Sequence, residues 1–160
     1  MLQRKRIEPD QARPKIEQYC AYQERSHYEV REKLYSFGLY KAEVEELIGS
    51  LIEGNFLNEE RFAVQFTGGH FRLKQWGKQK IRLGLQQKRV SEYNIRRALD
   101  TIDPETYRAT LEKLAAKKWQ TLKSGVMHHL ERKARLTRYL IQKGYESSLV
   151  RNVVEAITAQ

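Results

Sequence analysis

One eight-position pattern occurs three times in this chain of 160 residues, and it restricts the possible folds more than any other feature of the sequence. Val30, Leu34, Gly38, Leu39, Val44, Leu47, Ile48 and Leu51 recur at an offset of 51 as Ile81, Leu85, Arg89, Val90, Ile95, Ala98, Leu99 and Ile102. At an offset of 106 they recur as Leu136, Leu140, Gly144, Tyr145, Val150, Val153, Val154 and Ile157. Each copy is an i, i+4 apolar pair, a tight turn with one apolar residue, and an i, i+3, i+4, i+7 stripe, which is the spacing of a helix, a turn and a second helix. A helix pair of this kind cannot bury its stripe alone. A further helical stretch precedes each copy, at about 14–25, 58–75 and 104–122. Phe62, Ala63 and Phe66 supply the apolar face of the second, and Tyr107, Leu111, Leu114 and Ala115 that of the third.

The predicted fold is therefore all-α: an elongated array of three tandem three-helix, helix-turn-helix-like repeats. Its boundaries are a basic N-terminal tail at 1–13, then repeats at 14–57, 58–103 and 104–160. An apolar fraction of 40% suits such an array, in which each unit contacts only its neighbours and needs only a small core. Local signals agree. Ser26 with Glu29 forms a capping-box pattern, Asp103 precedes Pro104 as an N-cap before a first-turn proline, and Gly38 and Gly144 sit where left-handed caps end helices. Two irregularities stand out. Gly68–Gly69 marks a candidate helix break before Phe71, and Arg89 replaces the turn glycine, so it either adopts the left-handed conformation or closes the turn differently.

Several function classes are disfavoured. The single cysteine, Cys20, rules out a disulfide scaffold and a thiolate-rich metal site, and reads as a small buried residue. No apolar run approaches a membrane span, and Met1–Arg13 lacks the apolar stretch of a signal peptide, so a soluble, cytoplasmic monomer is expected. Only Asp10, Asp100 and Asp103 represent aspartate; no glycine-rich phosphate loop or metal-ligand spacing occurs, and His128–His129 would point about 100° apart on a helix. No catalytic residue, metal or cofactor is expected.

The formal charge of +10 is unevenly distributed: residues 26–60 carry −5, residues 61–97 carry +9 and residues 113–151 carry +8. Two localised positive faces point to a polyanion. The stronger candidate comprises Arg72, Lys74, Lys78, Lys80, Arg82, Lys88, Arg89, Arg96 and Arg97, with Lys74, Lys78 and Arg82 on one stripe if their helix is continuous. The weaker comprises Arg132, Lys133, Arg135 and Arg138. Either patch would neutralise phosphates or meet an acidic protein surface; the alternative is a solvated face without a partner. Phe71, Trp76 and Tyr93 interleave with the basic residues, as stacking surfaces for bases or as packing between helices, the second being the expectation for Trp76. Glu43, Glu45 and Glu46 would repel phosphate and face a basic protein surface or solvent.

Arg25-Ser26, Glu29-Val30 and Lys33-Leu34 leading to Gly38, the block Phe56-Leu57-Asn58-Glu59-Glu60-Arg61-Phe62-Ala63, and Trp76-Gly77-Lys78 ahead of Ile81 and Leu85 resemble the RecX family, regulatory modulators of the RecA recombinase. The resemblance spans about residues 16–157. It departs from the family at Asn58-Glu59, where Asp-Asp is frequent, at Arg89 and at Gly68–Gly69. It implies a curved chain of three-helix repeats lying in the groove of the RecA–DNA filament. It also implies modulation, mainly inhibition, of RecA ATP hydrolysis, strand exchange and coprotease activity in recombination, repair and the SOS response, with single- or double-stranded DNA met without sequence preference. The competing reading is a stand-alone helix-turn-helix DNA-binding protein; against it, the second helix of the first unit is acidic, and that of the third has Arg151 as its only basic residue.

Overall fold

The computed structural model describes residues 6–122 and 128–159. These residues form nine α-helices and no strand: α1 (Pro9–Tyr22), α2 (His27–Ser36), α3 (Lys41–Glu53), α4 (Glu59–Lys74), α5 (Lys78–Gln87), α6 (Glu92–Leu99), α7 (Pro104–Thr121), α8 (His129–Gln142) and α9 (Ser147–Thr158). The fold is an all-α helical repeat. The chain divides into two compact units, residues 1–65 with 85–98, and residues 66–84 with 99–160; α4 and α5 contribute to both.

In the first unit the repeat pattern becomes the core. Val30 and Leu34 of α2, Leu39 of the turn, and Val44, Leu47, Ile48 and Leu51 of α3 are buried together with Ala12, Ile16 and Cys20 of α1. Burying a side chain of this size contributes about 1.5–3 kcal/mol, so the stripe largely decides the packing. The expected first helix does form, but it starts at Pro9, ahead of residue 14, and carries Pro14 inside it. Ala12, fully buried, draws those residues into the helix. Ser26 caps α2, its Oγ accepting the Glu29 N–H at 3.0 Å. Val90, Ile95 and Ala98 are buried in the same unit at the equivalent repeat positions.

The second unit repeats the arrangement with Leu136 and Leu140 of α8, Tyr145 of the turn, and Val150 and Val154 of α9 buried with Tyr107, Leu111, Leu114 and Ala115 of α7. Asp103 caps α7, its carboxylate accepting the Thr106 N–H at 2.9 Å ahead of Pro104.

Gly38 (φ 83°) and Gly144 (φ 102°) take the left-handed turn conformation, and Arg89 (φ 58°) takes it too. The cost of about 1–2 kcal/mol for a residue with a Cβ is offset in part where the Arg89 guanidinium stacks on Tyr28, 4.4 Å from the ring centroid. Gly68–Gly69 does not break α4, which runs unbroken to Lys74. Burial of Phe62, Ala63 and Thr67 before the pair and of Phe71 after it outweighs the helix penalty of about 1 kcal/mol per glycine.

Candidate functional site

The basic residues singled out in the sequence separate by what their charged groups meet. Within the first unit Arg89 stacks on Tyr28, and the other three meet carboxylates. Lys88 pairs with Glu29 at 3.4 Å and Arg96 with Glu92 at 3.2 Å. Arg97 donates to the Tyr93 hydroxyl at 2.8 Å and pairs with Glu60 at 3.2 Å, contacts that hold its guanidinium pKa above the usual arginine value, the tyrosine bond being the larger cause. In the second unit Lys133 pairs with Glu155 at 2.7 Å and Arg135 with Glu131 at 3.0 Å. Arg132 stacks on Trp119, 3.4 Å from the ring centroid, and donates to the Trp119 carbonyl at 2.6 Å. Arg138 is exposed on α8, and the Arg72 guanidinium lies across Gly68 on α4. Surface pairs of this kind contribute at most about 1 kcal/mol each, but they reduce the positive charge offered to a partner.

A second set keeps its charge. Lys74 and Lys80 place their ammonium groups 5.3 Å and 4.7 Å from the centroid of the Trp76 ring, and Lys78 lies 5.1 Å from that of Tyr107. An aromatic face orients an ammonium group without neutralising it. The stripe of Lys74, Lys78 and Arg82 does not exist as one helical row: α4 ends at Lys74, Gln75 turns left-handed (φ 57°), and α5 begins at Lys78. Lys78 and half-buried Arg82 share α5.

Trp76 itself is packed: it sits 4.5 Å from His70, which sits 3.9 Å from Phe66, and a Cβ on Gly84 would meet both Phe66 and Trp76. Phe71 is buried, 5.9 Å from Tyr107. Tyr93 is 65% exposed and serves as the acceptor for Arg97. Glu43 and Glu45 of the acidic helix are held internally, Glu43 by Arg6 at 2.8 and 2.9 Å and Glu45 by Arg31 at 3.0 Å.

The sequence did not single out Lys143, which joins the uncompensated set. The segment between α4 and α5 lies on the α8–α9 turn through backbone hydrogen bonds: Gly77 N–H to the Lys143 carbonyl at 2.8 Å and Gln79 N–H to the Gly144 carbonyl at 2.9 Å. The Tyr145 hydroxyl donates to the Gln75 carbonyl at 2.9 Å. Lys143 Nζ donates to the Lys74 carbonyl at 2.8 Å, and burial together with the charge of Lys80 pushes its pKa below the usual lysine value. Beside it the Tyr107 hydroxyl accepts the Lys78 N–H at 2.9 Å and donates to Glu146; burial first and then Glu146 raise its pKa well above that of an ordinary tyrosine. No local pattern announces these contacts, because their partners lie between 29 and 70 residues apart.

The described residues thus form an all-α helical repeat whose second unit carries lysines seated on aromatic rings. Models of the second and third three-helix domains of RecX match residues 58–99 and 105–154. The chain belongs to the RecX family of regulatory proteins. It is 33% identical over 130 residues to the regulatory protein RecX of Clostridium perfringens (strain 13 / Type A), covering 81% of this chain and 60% of that one. To the regulatory protein RecX of Prosthecochloris aestuarii it is 29% identical over 139 residues, covering 87% and 88%. It thus spans about three-fifths of the length of the clostridial relatives it matches. In fold it is similar to the crystal structure of RecX from Lactobacillus salivarius, with a TM-score of 0.84 and 18% identity over 95% of this chain and 97% of that one. A second RecX crystal structure gives a TM-score of 0.82 at 23% identity, covering 91% and 70%.

Proposed function

We propose that this chain binds the RecA–DNA filament and modulates it, chiefly by inhibiting RecA ATP hydrolysis, strand exchange and coprotease activity in recombination and DNA repair. It acts as a cytoplasmic monomer and by occupancy, without bond chemistry of its own. The observation that carries the reading is the charge on Lys74, Lys78 and Lys80: aromatic rings seat these ammonium groups and leave them available to a polyanion, within a chain of the RecX family. Contacts between lysines and phosphates are indifferent to base sequence, so the DNA of the filament is met without sequence preference. Sequence-selective reading by a stand-alone helix-turn-helix gains no support. The second helix of the first unit, α3, carries Glu43, Glu45 and Glu46, two of which are engaged by Arg6 and Arg31.

The test is a titration of the purified protein into the DNA-dependent ATPase and strand exchange of its cognate RecA. Both are expected to fall at sub-stoichiometric to stoichiometric protein, and unaltered rates across the whole series would refute the proposal. Lys78→Glu combined with Arg82→Glu is expected to weaken filament binding with helicity unchanged by circular dichroism. Undiminished binding would reduce this surface to a solvated face.

A further inference from the structure

We propose that Lys74, Lys80 and Lys143 together hold a phosphate oxyanion, supplied by the backbone of a nucleic acid strand; this rests on the reading that the lysine surface of the second unit faces the DNA of the filament. The three residues come from the end of α4, the first turn of α5 and the end of α8. Lys74 and Lys80 both reach within 5.3 Å of the centroid of one indole, and Lys143 Nζ lies 2.8 Å from the carbonyl of Lys74. The stem of Lys80 runs against Gly144, the neighbour of Lys143, so closely that a Cβ at Gly144 would stand 2.4 Å from that of Lys80. Gly77 and Gly144 are required for this approach, since a Cβ at Gly77 would stand 2.3 Å from the carbonyl carbon of Gly144.

Burial first, and then the charge of Lys80, hold the Lys143 ammonium below the usual lysine value, while Lys74 shares the indole with Lys80 and lends its backbone carbonyl to Lys143. Among the described residues none of the three forms an ion pair; their polar contacts are an indole face and a carbonyl oxygen. The remaining compensation is an anion from outside. Its chemistry follows from the residue type. Planar carboxylates suit the two-pronged guanidinium, as at Arg6–Glu43, whereas ammonium groups are point charges that converge on a tetrahedral phosphate from several directions. The seat is also held in place: Trp76 is fixed by His70, and the backbone bridge from Gly77 to Lys143 fixes the distance between the segments that carry the lysines.

The experiment is fluorescence anisotropy of a labelled oligothymidylate against the full chain over a series of salt concentrations, comparing wild type, Lys80→Gln/Lys143→Gln, Lys80→Arg/Lys143→Arg and the control Arg31→Gln. Removing two phosphate contacts to a single strand is expected to lower the slope of log K against log salt by about 1.4 and to weaken binding about 25-fold at 0.1 M salt. The arginine pair is expected to restore most of the slope, and the control to match wild type, because its charge is already paired with Glu45. A glutamine pair that retains wild-type slope and affinity overturns the clamp. So does a glutamine pair whose loss arginine cannot restore, which would mark a packing defect. A second arm competes the strand with pyrophosphate and a nucleoside triphosphate; if these bind wild type more tightly than the strand does and lose more on the glutamine substitution, the source is a free phosphate and the strand assignment falls. RecA ATPase measured with the same proteins separates this proposal from the one it rests on. Wild type without effect on RecA but with a strand affinity sensitive to Lys80 and Lys143 keeps the clamp and refutes the filament reading; the reverse pattern refutes the clamp alone.

Discussion

Replacing Gly77 with alanine tests the packing that assembles the lysine surface. A Cβ at that position would stand 2.3 Å from the Gly144 carbonyl carbon and 2.4 Å from both its oxygen and the Tyr145 nitrogen. All three are backbone atoms, so no flexible side-chain tip can swing away. Restoring a contact distance of roughly 3.5–4 Å requires the segment between α4 and α5 to lift from the α8–α9 turn by about 1 Å or more. That displacement stretches the Gly77–Lys143 and Gln79–Gly144 hydrogen bonds, at 2.8 and 2.9 Å, and the Tyr145 hydroxyl bond to the Gln75 carbonyl at 2.9 Å. At about 1 kcal/mol for each of the three bonds, with a further 1–3 kcal/mol for overpacking, the expected loss is about 4–6 kcal/mol. This is a large part of the 5–15 kcal/mol typical of a domain and corresponds to a fall in melting midpoint of about 10 °C. Gly69→Ala is the paired control: Gly69 lies inside α4 with nothing within 4 Å of a new Cβ, so alanine is expected to stabilise by up to about 1 kcal/mol. Thermal and urea unfolding followed by circular dichroism at 222 nm reads both variants. A Gly77→Ala protein melting with or above wild type would refute the assignment of this contact, whatever the control does.

Three further outcomes are expected. Ser26→Ala removes the Oγ that accepts the Glu29 N–H at a fully buried cap and is expected to cost about 1 kcal/mol in urea unfolding; an unchanged midpoint would mean that the capping bond contributes nothing net. The Arg6 guanidinium first, and then the Tyr40 N–H, hold the Glu43 carboxyl down to about 2 against an ordinary 4.5. Because the folded value is the lower, the pair stabilises fully above pH 4.5 and is lost as pH falls toward 2; Glu43→Gln should flatten the acid limb of the melting curve across that window, and a limb of unchanged steepness would contradict the pairing. Burial pushes the Cys20 thiol up to about 11, so native protein at pH 8 should react with a disulfide reagent about 100-fold more slowly than an unfolded chain; rapid native labelling would place Cys20 outside the core.

Much of the fold is legible because its determinants are local or periodic. The i, i+4 pair Val30 and Leu34 and the stripe Val44, Leu47, Ile48 and Leu51 share a helix face by geometry alone, and all are buried. Gly38 and Gly144 take the left-handed turn because their lack of a Cβ makes it cheap. The helix limits were less legible. Pro9 opens a helix that the sequence reading would begin at about residue 14, and Gly68–Gly69 remains helical, because burial of Ala12 and of Phe62 and Phe71 prevails over local cost.

The candidate site divides along the same line. Composition and order identify the basic segments, since like charges near in sequence remain near in any helical fold. Whether each charge is available depends on partners the sequence does not order: Lys88 meets Glu29 and Arg97 meets Glu60, while Lys74 and Lys80 meet an indole. Periodicity and capping therefore determined three helix-turn-helix copies from the sequence alone, because helical spacing and end effects act within a few residues. The gathering of Lys74, Lys80 and Lys143 was decided only in the tertiary structure, where two glycines without side chains allow backbones nearly seventy residues apart to touch.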